Sequence, residues 1–135
     1  MLRNRSCPNS TVIPELPYDD VNQAADWLCA AFGFTVRLRI MNHRCQINIG
    51  DGAMVAVEKQ AGRNDVSRVM VRVENIDEHY NRAKAHGAMI TREPADYPYG
   101  ERQYNATDIG GHHWTFTHSI FDSDPLEWGG TPVDL

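Results

Sequence analysis

Apolar and polar residues alternate with a period of two in several short stretches of the first half of the chain. This alternation predicts strands at residues 11–18, 35–40, 43–50 and 53–60. Between the first two, the stretch after Asp20 has helical spacing, with Asp20 as N-cap and Gly33 as the residue that ends the helix. The predicted order is therefore strand, helix and three strands, with the polar residues 61–66 as a linker.

The second half repeats this order. Residues 67–75 alternate, the stretch IDEHYNRAKAHGA is helical and ends at Gly87, and the strands AMITRE, GERQYNATD and HHWTFTH follow. The chain is thus predicted to be a degenerate tandem of a βαβββ module. We expect a disordered leader at residues 1–10, one domain of two modules at residues 11–120 (about 11–60 and 67–120), and a C-terminal tail at residues 121–135.

The composition and net charge of the chain argue against several classes of protein. The chain has 135 residues, 41% of them hydrophobic and 23% charged, which is typical of a folded domain and not of a disordered or membrane-spanning chain. A net charge of −5 with scattered basic residues argues against nucleic acid as a partner. Cys7, Cys29 and Cys45 lack metal-site spacing and are expected to be free thiols, and the expected compartment is the cytoplasm.

Three stretches together carry a resemblance to a known family: PYDDVNQAADWLCAAFGF, IDEHYNRAKAHGA and PYGERQYNATDIGGHHWTF. From about Val12 to Ile120 the chain resembles the vicinal-oxygen-chelate superfamily, which includes glyoxalase I, extradiol dioxygenases, fosfomycin-resistance enzymes and bleomycin-binding proteins. The resemblance implies an α+β fold in which two βαβββ modules form a curved mixed sheet around a cleft, with helices on the outer face. It also implies a homodimer. Catalytic members hold a divalent metal in the cleft, whereas bleomycin-binding members hold none.

The positions that the resemblance assigns to metal ligands fall on Ile13, Ala56, Arg68 and Thr115. Isoleucine and alanine have no donor atom, a neutral hydroxyl binds weakly, and an arginine repels a cation. We therefore expect no metal and no other cofactor. A shift of one or two residues leaves open a displaced ligand set made of Glu15, Glu58 and His113.

Strand alternation also predicts which side chains face the cleft. One face should pack under the helices and bury Val12, Leu16, Ile47, Ile49, Val55, Val57, Val69, Val71, Val73, Trp114 and Phe116. Met54, Met70 and Thr117 are expected on the other, cleft face together with most of the predicted ligand-binding residues. The predicted ligand-binding residues are Glu15, Arg44, Gln46, Asn48, Glu58, Arg68, Arg72, Tyr99, Tyr104, His113 and Thr115.

These residues admit more than one interpretation. The charged ones can orient a polar organic ligand, or Glu15 and Glu58 can pair with Arg68 and Arg72 in a purely structural network. His112 is expected to be a hydrogen-bonded structural residue.

The function predicted from the sequence is that of a homodimeric small-molecule-binding protein that sequesters a drug or metabolite without a catalytic metal. A metal-dependent lyase, isomerase or dioxygenase with displaced ligands, and metal-free acid–base catalysis by Glu15, Glu58 or His113, remain as alternatives. Whether the chain is an enzyme stays open at this point.

Overall fold

The computed structural model describes residues 2–135 and contains the predicted βαβββ order twice. The first module consists of β1 (Glu15–Tyr18), α1 (Val21–Phe32), β2 (Thr35–Ile40), β3 (Arg44–Ile49) and β4 (Gly52–Glu58). The second consists of β5 (Arg68–Arg72), α2 (Ile76–Ala85), β6 (Met89–Tyr97), β7 (Glu101–Thr107) and β8 (His113–Ser119), and a short 3-10 helix, Pro125–Trp128, follows. The predicted α+β class is confirmed.

Each module forms its own four-stranded mixed sheet. The strand orders are β1-β4-β3-β2 and β5-β8-β7-β6, and in each sheet the strand before the helix pairs in parallel with the last strand. β1 and β5 are therefore edge strands. No helix in the described part of the chain is both long and apolar enough to cross a membrane.

Local sequence explains where both helices begin. The Asp20 side chain accepts a hydrogen bond from the Gln23 backbone N–H, and the Asn75 side chain accepts one from the Glu78 N–H. The first helix ends at Gly33, whose φ of 78° is in the left-handed region that favours glycine. The two helices contact each other and each packs on its own sheet.

One hydrophobic core runs through both modules. Phe32, at the end of α1, packs on Trp114 and Phe116 of β8, with ring centroids 5.4 and 4.8 Å apart. Leu16, Cys45, Ile47, Met54 and Tyr104 belong to the same buried cluster. The sheet faces turned toward this core are the helix-side faces, and we call the opposite faces the open faces.

Pairing across the strands corrects the predicted faces of β4. The turn at Gly50 and Asp51 is short, and β4 begins directly after it at Gly52. As a result, Ile47 pairs with Met54 and Gln46 pairs with Val55. Met54 is therefore on the helix-side face, where it is 1% exposed, and not on the cleft face. Val55 and Val57 lie on the open face and not, as predicted, under the helix.

A buried polar cluster joins the two modules. The Asp108 carboxylate accepts hydrogen bonds from the Tyr18 hydroxyl (2.6 Å), the Trp114 indole N–H (3.0 Å) and the backbone N–H groups of Gly110 and His112 (both 2.9 Å). His112 is fully buried, accepts a hydrogen bond from the Ser67 N–H at Nδ1 and donates from Nε2 to the Pro17 carbonyl. The prediction of a structural, hydrogen-bonded His112 is confirmed.

Candidate functional site

On the first sheet, four of the predicted site residues share the open face. Glu15, Arg44, Gln46 and Asn48 all lie there by register. The Glu15 carboxylate accepts from Arg44 at 2.6 Å, and both side chains are about half exposed. The pairing predicted for Glu15 with Arg68 or Arg72 is thus replaced by a pairing within the first sheet.

On the second sheet, the register brings together the other predicted charged and polar residues. Arg68 pairs with His113, Met70 with Thr115 and Arg72 with Thr117, so all six side chains are on the open face. The Nδ1 atom of His113 lies 3.4 Å from the Thr107 hydroxyl, also on this face. The orientation predicted for Arg68 and Thr115 is therefore correct.

Two predicted site residues face the other way. Tyr104 pairs with Phe116 and is fully buried in the core, because the connection from β7 to β8 sets a register that places both rings on the helix side. Glu58 pairs with Tyr18, which is also on the helix-side face. Neither residue belongs to the open face, so both predicted cleft positions are wrong.

A chain of hydrogen bonds organises the open face of the second sheet. Tyr99 donates to Gln103 Oε1 (3.0 Å), Gln103 donates to the Thr117 hydroxyl (3.1 Å), and Thr117 donates to Glu101 (2.6 Å). Ser119 and Arg72 also donate to the Glu101 carboxylate. Burial alone would raise the pKa of Glu101, but the hydrogen bonds from Ser119 and Thr117 and the Arg72 charge hold it below its ordinary value. The carboxylate therefore stays ionised as a fixed acceptor.

Next to these polar groups an acceptor is left without a partner. Asn105 pairs with Thr115 on the open face, and its Oδ1 atom is buried with no hydrogen-bond partner among the described residues. A buried polar atom without a partner costs about 1–3 kcal/mol. Asn105 Oδ1 is thus an acceptor that the fold itself leaves unpaired.

Aromatic rings border the same face. Tyr97 and Tyr99 stack with centroids 5.4 Å apart and an interplanar angle of 9°, and Trp128 meets Tyr99 edge-on at 6.0 Å. The C-terminal segment reaches them because Gly100, at φ 85°, allows the chain to pass closely. A Cβ atom on Gly100 would lie 2.2 Å from the Phe121 carbonyl oxygen. Trp128 remains 48% exposed, which leaves one ring available to a flat ligand.

A cavity of about 750 Å³ lies in the groove between the modules. It runs along the edge strand β5 and past the end of β1, and Phe32, Phe34 and Trp114 line its helix-side wall. His79, from α2, also lines this groove. Most of the lining belongs to the helix side, but the cavity also meets the open faces, at Ala53, Met70 and Arg72.

His79 is held neutral in this groove. Its Nε2–H donates to the Phe32 carbonyl (2.9 Å), and its Nδ1 accepts from the Tyr104 hydroxyl (2.6 Å). Burial lowers the pKa of His79 below its ordinary value of 6.5, and burial likewise raises the pKa of Tyr104. The pair is stable with the imidazole unprotonated and the phenol protonated.

This environment predicts an acid-sensitive fold. Because the folded-state pKa of His79 is below the unfolded value, the unfolded chain binds a proton first as the pH falls through about 6.5. The stabilisation is fully present above that pH and is lost progressively below it. Urea unfolding followed by circular dichroism at about pH 8 and about pH 5.5 should show this fall in the wild type and a smaller one in His79→Gln. An identical pH dependence in the two proteins would exclude His79 as its source.

The donor atoms do not fit a metal site. No group of three or more His, Cys, Asp or Glu side chains is placed to hold a metal among the residues that the structure describes. Of the displaced set, Glu58 lies on the helix side and Glu15 is paired with Arg44. At the inherited positions, Ala56 is buried in the core, and the residues beside it on the open face are Val55 and Val57.

Several residues of this site were not predicted from the sequence. They are Glu101, Gln103, Asn105 and Trp128. Counting in steps of two along β7 from Tyr104, once its pairing with Phe116 is known, gives the face of Gln103 and Asn105. Nothing in the sequence alone indicates that Trp128 returns to Tyr99.

Comparisons with known proteins agree with this geometry. The family model described as Glyoxalase/Bleomycin resistance protein/Dioxygenase superfamily matches residues 11–116. Among solved structures, TioX from Micromonospora sp. ML1 is 34% identical, with 83% of this chain and 100% of that chain covered and a TM-score of 0.74.

More distant structures share the fold alone. TnmS3, an antibiotic binding protein from Streptomyces sp. CB03234, is 20% identical over 82% of this chain and 96% of that chain, with a TM-score of 0.68. Lactoylglutathione lyase from Agrobacterium tumefaciens is 15% identical over 82% and 93%, with a TM-score of 0.65. No curated protein sequence matches the chain significantly. The family match over most of the chain and the duplicated βαβββ fold together establish that this chain belongs to the glyoxalase/bleomycin resistance protein/dioxygenase superfamily.

Proposed function

We propose that this chain binds and sequesters a small organic molecule at its open faces, without a catalytic metal. The observation that supports this most is the buried Asn105 oxygen, which lacks a partner beside Thr115 on a face otherwise well supplied with hydrogen bonds. A ligand that displaces the groups shielding this atom and donates to it would recover the cost of its burial. The ligand would therefore carry at least one N–H or O–H group.

The surroundings favour a flat and partly polar ligand. The stacked Tyr97 and Tyr99 rings and the exposed ring of Trp128 offer aromatic surface at one end of the face. Thr115, His113 and Arg68 offer polar contacts toward the other end. Such a mixture of aromatic surface and a few placed polar groups is typical of small-molecule sites. TnmS3, an antibiotic binding protein, has the same fold, which makes an antibiotic a reasonable first ligand class.

Absence of a metal is part of this proposal. The open face offers Arg68 and Thr115 where a metalloenzyme of this superfamily would use ligands, and a guanidinium at that position repels a cation. Acid–base catalysis without a metal is also disfavoured, since Glu15 forms an ion pair with Arg44 and Glu58 is on the helix side. Binding needs none of these groups in a special protonation state.

The proposal includes a second copy of the chain as the element that closes the cleft. The edge strands β1 and β5 each have one side without a strand partner. Unpaired edges of this kind favour association with another chain. The cytoplasm remains the proposed compartment, in keeping with the free thiols of Cys7, Cys29 and Cys45.

A ligand screen with matched variants tests the proposal. Equilibrium dialysis against doxorubicin, bleomycin and tetracycline should reveal at least one compound that binds saturably. Replacing Asn105 by Leu should weaken that binding by about tenfold, because a hydrogen bond to a buried oxygen is lost.

The matched control is Asn64→Leu, which changes an exposed asparagine in the linker between the modules and should leave the affinity unchanged. Circular dichroism would verify that both variants are folded. Equal affinity of the Asn105→Leu and wild-type proteins would contradict the placement of the ligand. Lack of binding by any aromatic antibiotic would contradict the ligand class.

A further inference from the structure

The N-terminal leader lies against the open face of the first sheet. The Gln46 side-chain N–H donates to the Ser6 carbonyl at 2.8 Å, and Arg37 donates from Nη2 to the Arg5 carbonyl at 3.0 Å. Pro8, two residues further on, is buried. Two hydrogen bonds and one buried residue within residues 5–8 thus place the leader on a face that, in the proposed function, binds the ligand.

The open-face residues of the first sheet are buried, as expected if the leader covers them. Gln46, Ala53 and Val55 lie on the open face, away from α1, yet are only 5%, 7% and 3% exposed. Residues on a bare sheet face would be exposed to solvent. The leader is the segment whose hydrogen bonds place it on this side of the sheet.

Arg37 and Gln46 form the contact as a pair. The sheet register shifts between Val36 and Leu38, which places Arg37 in an irregular position of β2. Arg37 Nη1 donates to the Gln46 Oε1 atom, so each side chain orients the other toward a backbone carbonyl of the leader. The pair recognises carbonyl groups and not leader side chains, so the same contacts are open to a ligand that carries carbonyl groups.

We propose that residues 2–10 act as a tethered competitor that covers the first-sheet half of the ligand site and must leave before a ligand can bind there. This inference rests on the proposed function, since it concerns regulation of the same site. A tethered segment competes at a high effective concentration, so its few hydrogen bonds suffice to lower the apparent affinity of a ligand. Cleavage or displacement of the leader would raise that affinity.

The rate of trypsin cleavage after Arg5 measures how often the leader is released in the full chain, and no ligand is needed for this measurement. The Arg5–Ser6 bond lies between the two carbonyls that Arg37 and Gln46 hold, so its cleavage requires release of the leader. When opening is fast, the cleavage rate follows the population of the open form. Mass spectrometry should show cleavage after Arg5 rising by about five- to tenfold in Arg37→Ala, as expected for a lost hydrogen bond.

Arg39→Ala is the matched control. Arg39 is the neighbouring arginine of the same strand, but it pairs with Asp26 on α1 and faces the helix side. Its replacement should leave cleavage after Arg5 within about twofold of the wild-type rate, because an exposed ion pair contributes little to stability. If the wild type were cut at Arg5 as fast as Arg37→Ala, the leader would not be docked and the proposal would fall.

The second measurement compares ligand affinity with and without the leader. The hydrophobic cluster shared by the two modules begins at Leu16, so the chain lacking residues 2–10 retains that cluster. The tightest compound from the antibiotic panel should bind this shortened chain at least about tenfold more strongly than the full chain. Equal affinities would overturn the competition. If no compound bound either form, the proposed function and the competition would fail together, while leader docking would still stand on the trypsin result.

Discussion

Replacing Asp108 by alanine is expected to lower the free energy of unfolding by roughly 3–5 kcal/mol. Its carboxylate is the common acceptor for the Tyr18 hydroxyl, the Trp114 indole and two backbone N–H groups, all in the interior. Removing it leaves four donors without a partner where water cannot easily reach. Burial and the neighbouring carboxylate raise the pKa of Tyr18, so the phenol stays protonated and depends on this acceptor. Urea unfolding at neutral pH measures the loss.

Two further variants identify the cause. Asp108→Asn keeps the size of the side chain and one acceptor oxygen, and it should recover part of the loss. Asp122→Asn, at an exposed position of the C-terminal tail, should change the free energy of unfolding by less than about 0.5 kcal/mol. An Asp108→Ala protein as stable as Asp122→Asn would show that the Asp108 cluster does not hold the modules together.

Replacing Phe32 by alanine is expected to cost about 3–5 kcal/mol of stability. Its ring is 2% exposed and lies within 6.1 Å, centroid to centroid, of the rings of Trp27, Phe34, His79, Trp114 and Phe116. Because these neighbours come from both modules, they cannot all move inward to fill the space. The cavity left behind should therefore persist and lower the midpoint of urea unfolding.

Phe121→Ala serves as the comparison for Phe32→Ala. Phe121 is 55% exposed in the C-terminal segment, so the same chemical change there should cost less than about 1 kcal/mol. Similar losses in the two variants would mean that the shared core contributes no more than the surface does. A much larger loss of stability in Phe32→Ala would show that packing at the end of α1 holds the two modules together.

The fold was predictable from the sequence because its signals are local. Asp20, Asn75, Gly33 and the alternating strands each act within a few residues, and their order repeats. The helix-side positions of Trp114 and Phe116 followed from alternation within one strand.

The site was only partly predictable because a face depends on register between strands. Alternation fixes which residues of β7 share a face, but the pairing of Tyr104 with Phe116 decides which face that is. The same is true of β4, where the pairing of Ile47 with Met54 reversed the predicted faces. The leader and Trp128 reach the sheets through contacts between distant segments, for which the sequence has no periodic signal.

The proposed function requires the open face to bind a small organic molecule without help from a metal. The most direct measurement is a calorimetric titration of the tightest compound from the antibiotic panel into protein treated with EDTA and into untreated protein. We expect the same affinity for both, because Arg68 and Thr115 replace the ligands of a metal site and binding relies on Asn105 and the aromatic rings. Loss of binding in the treated protein, with recovery on adding a divalent cation, would contradict it.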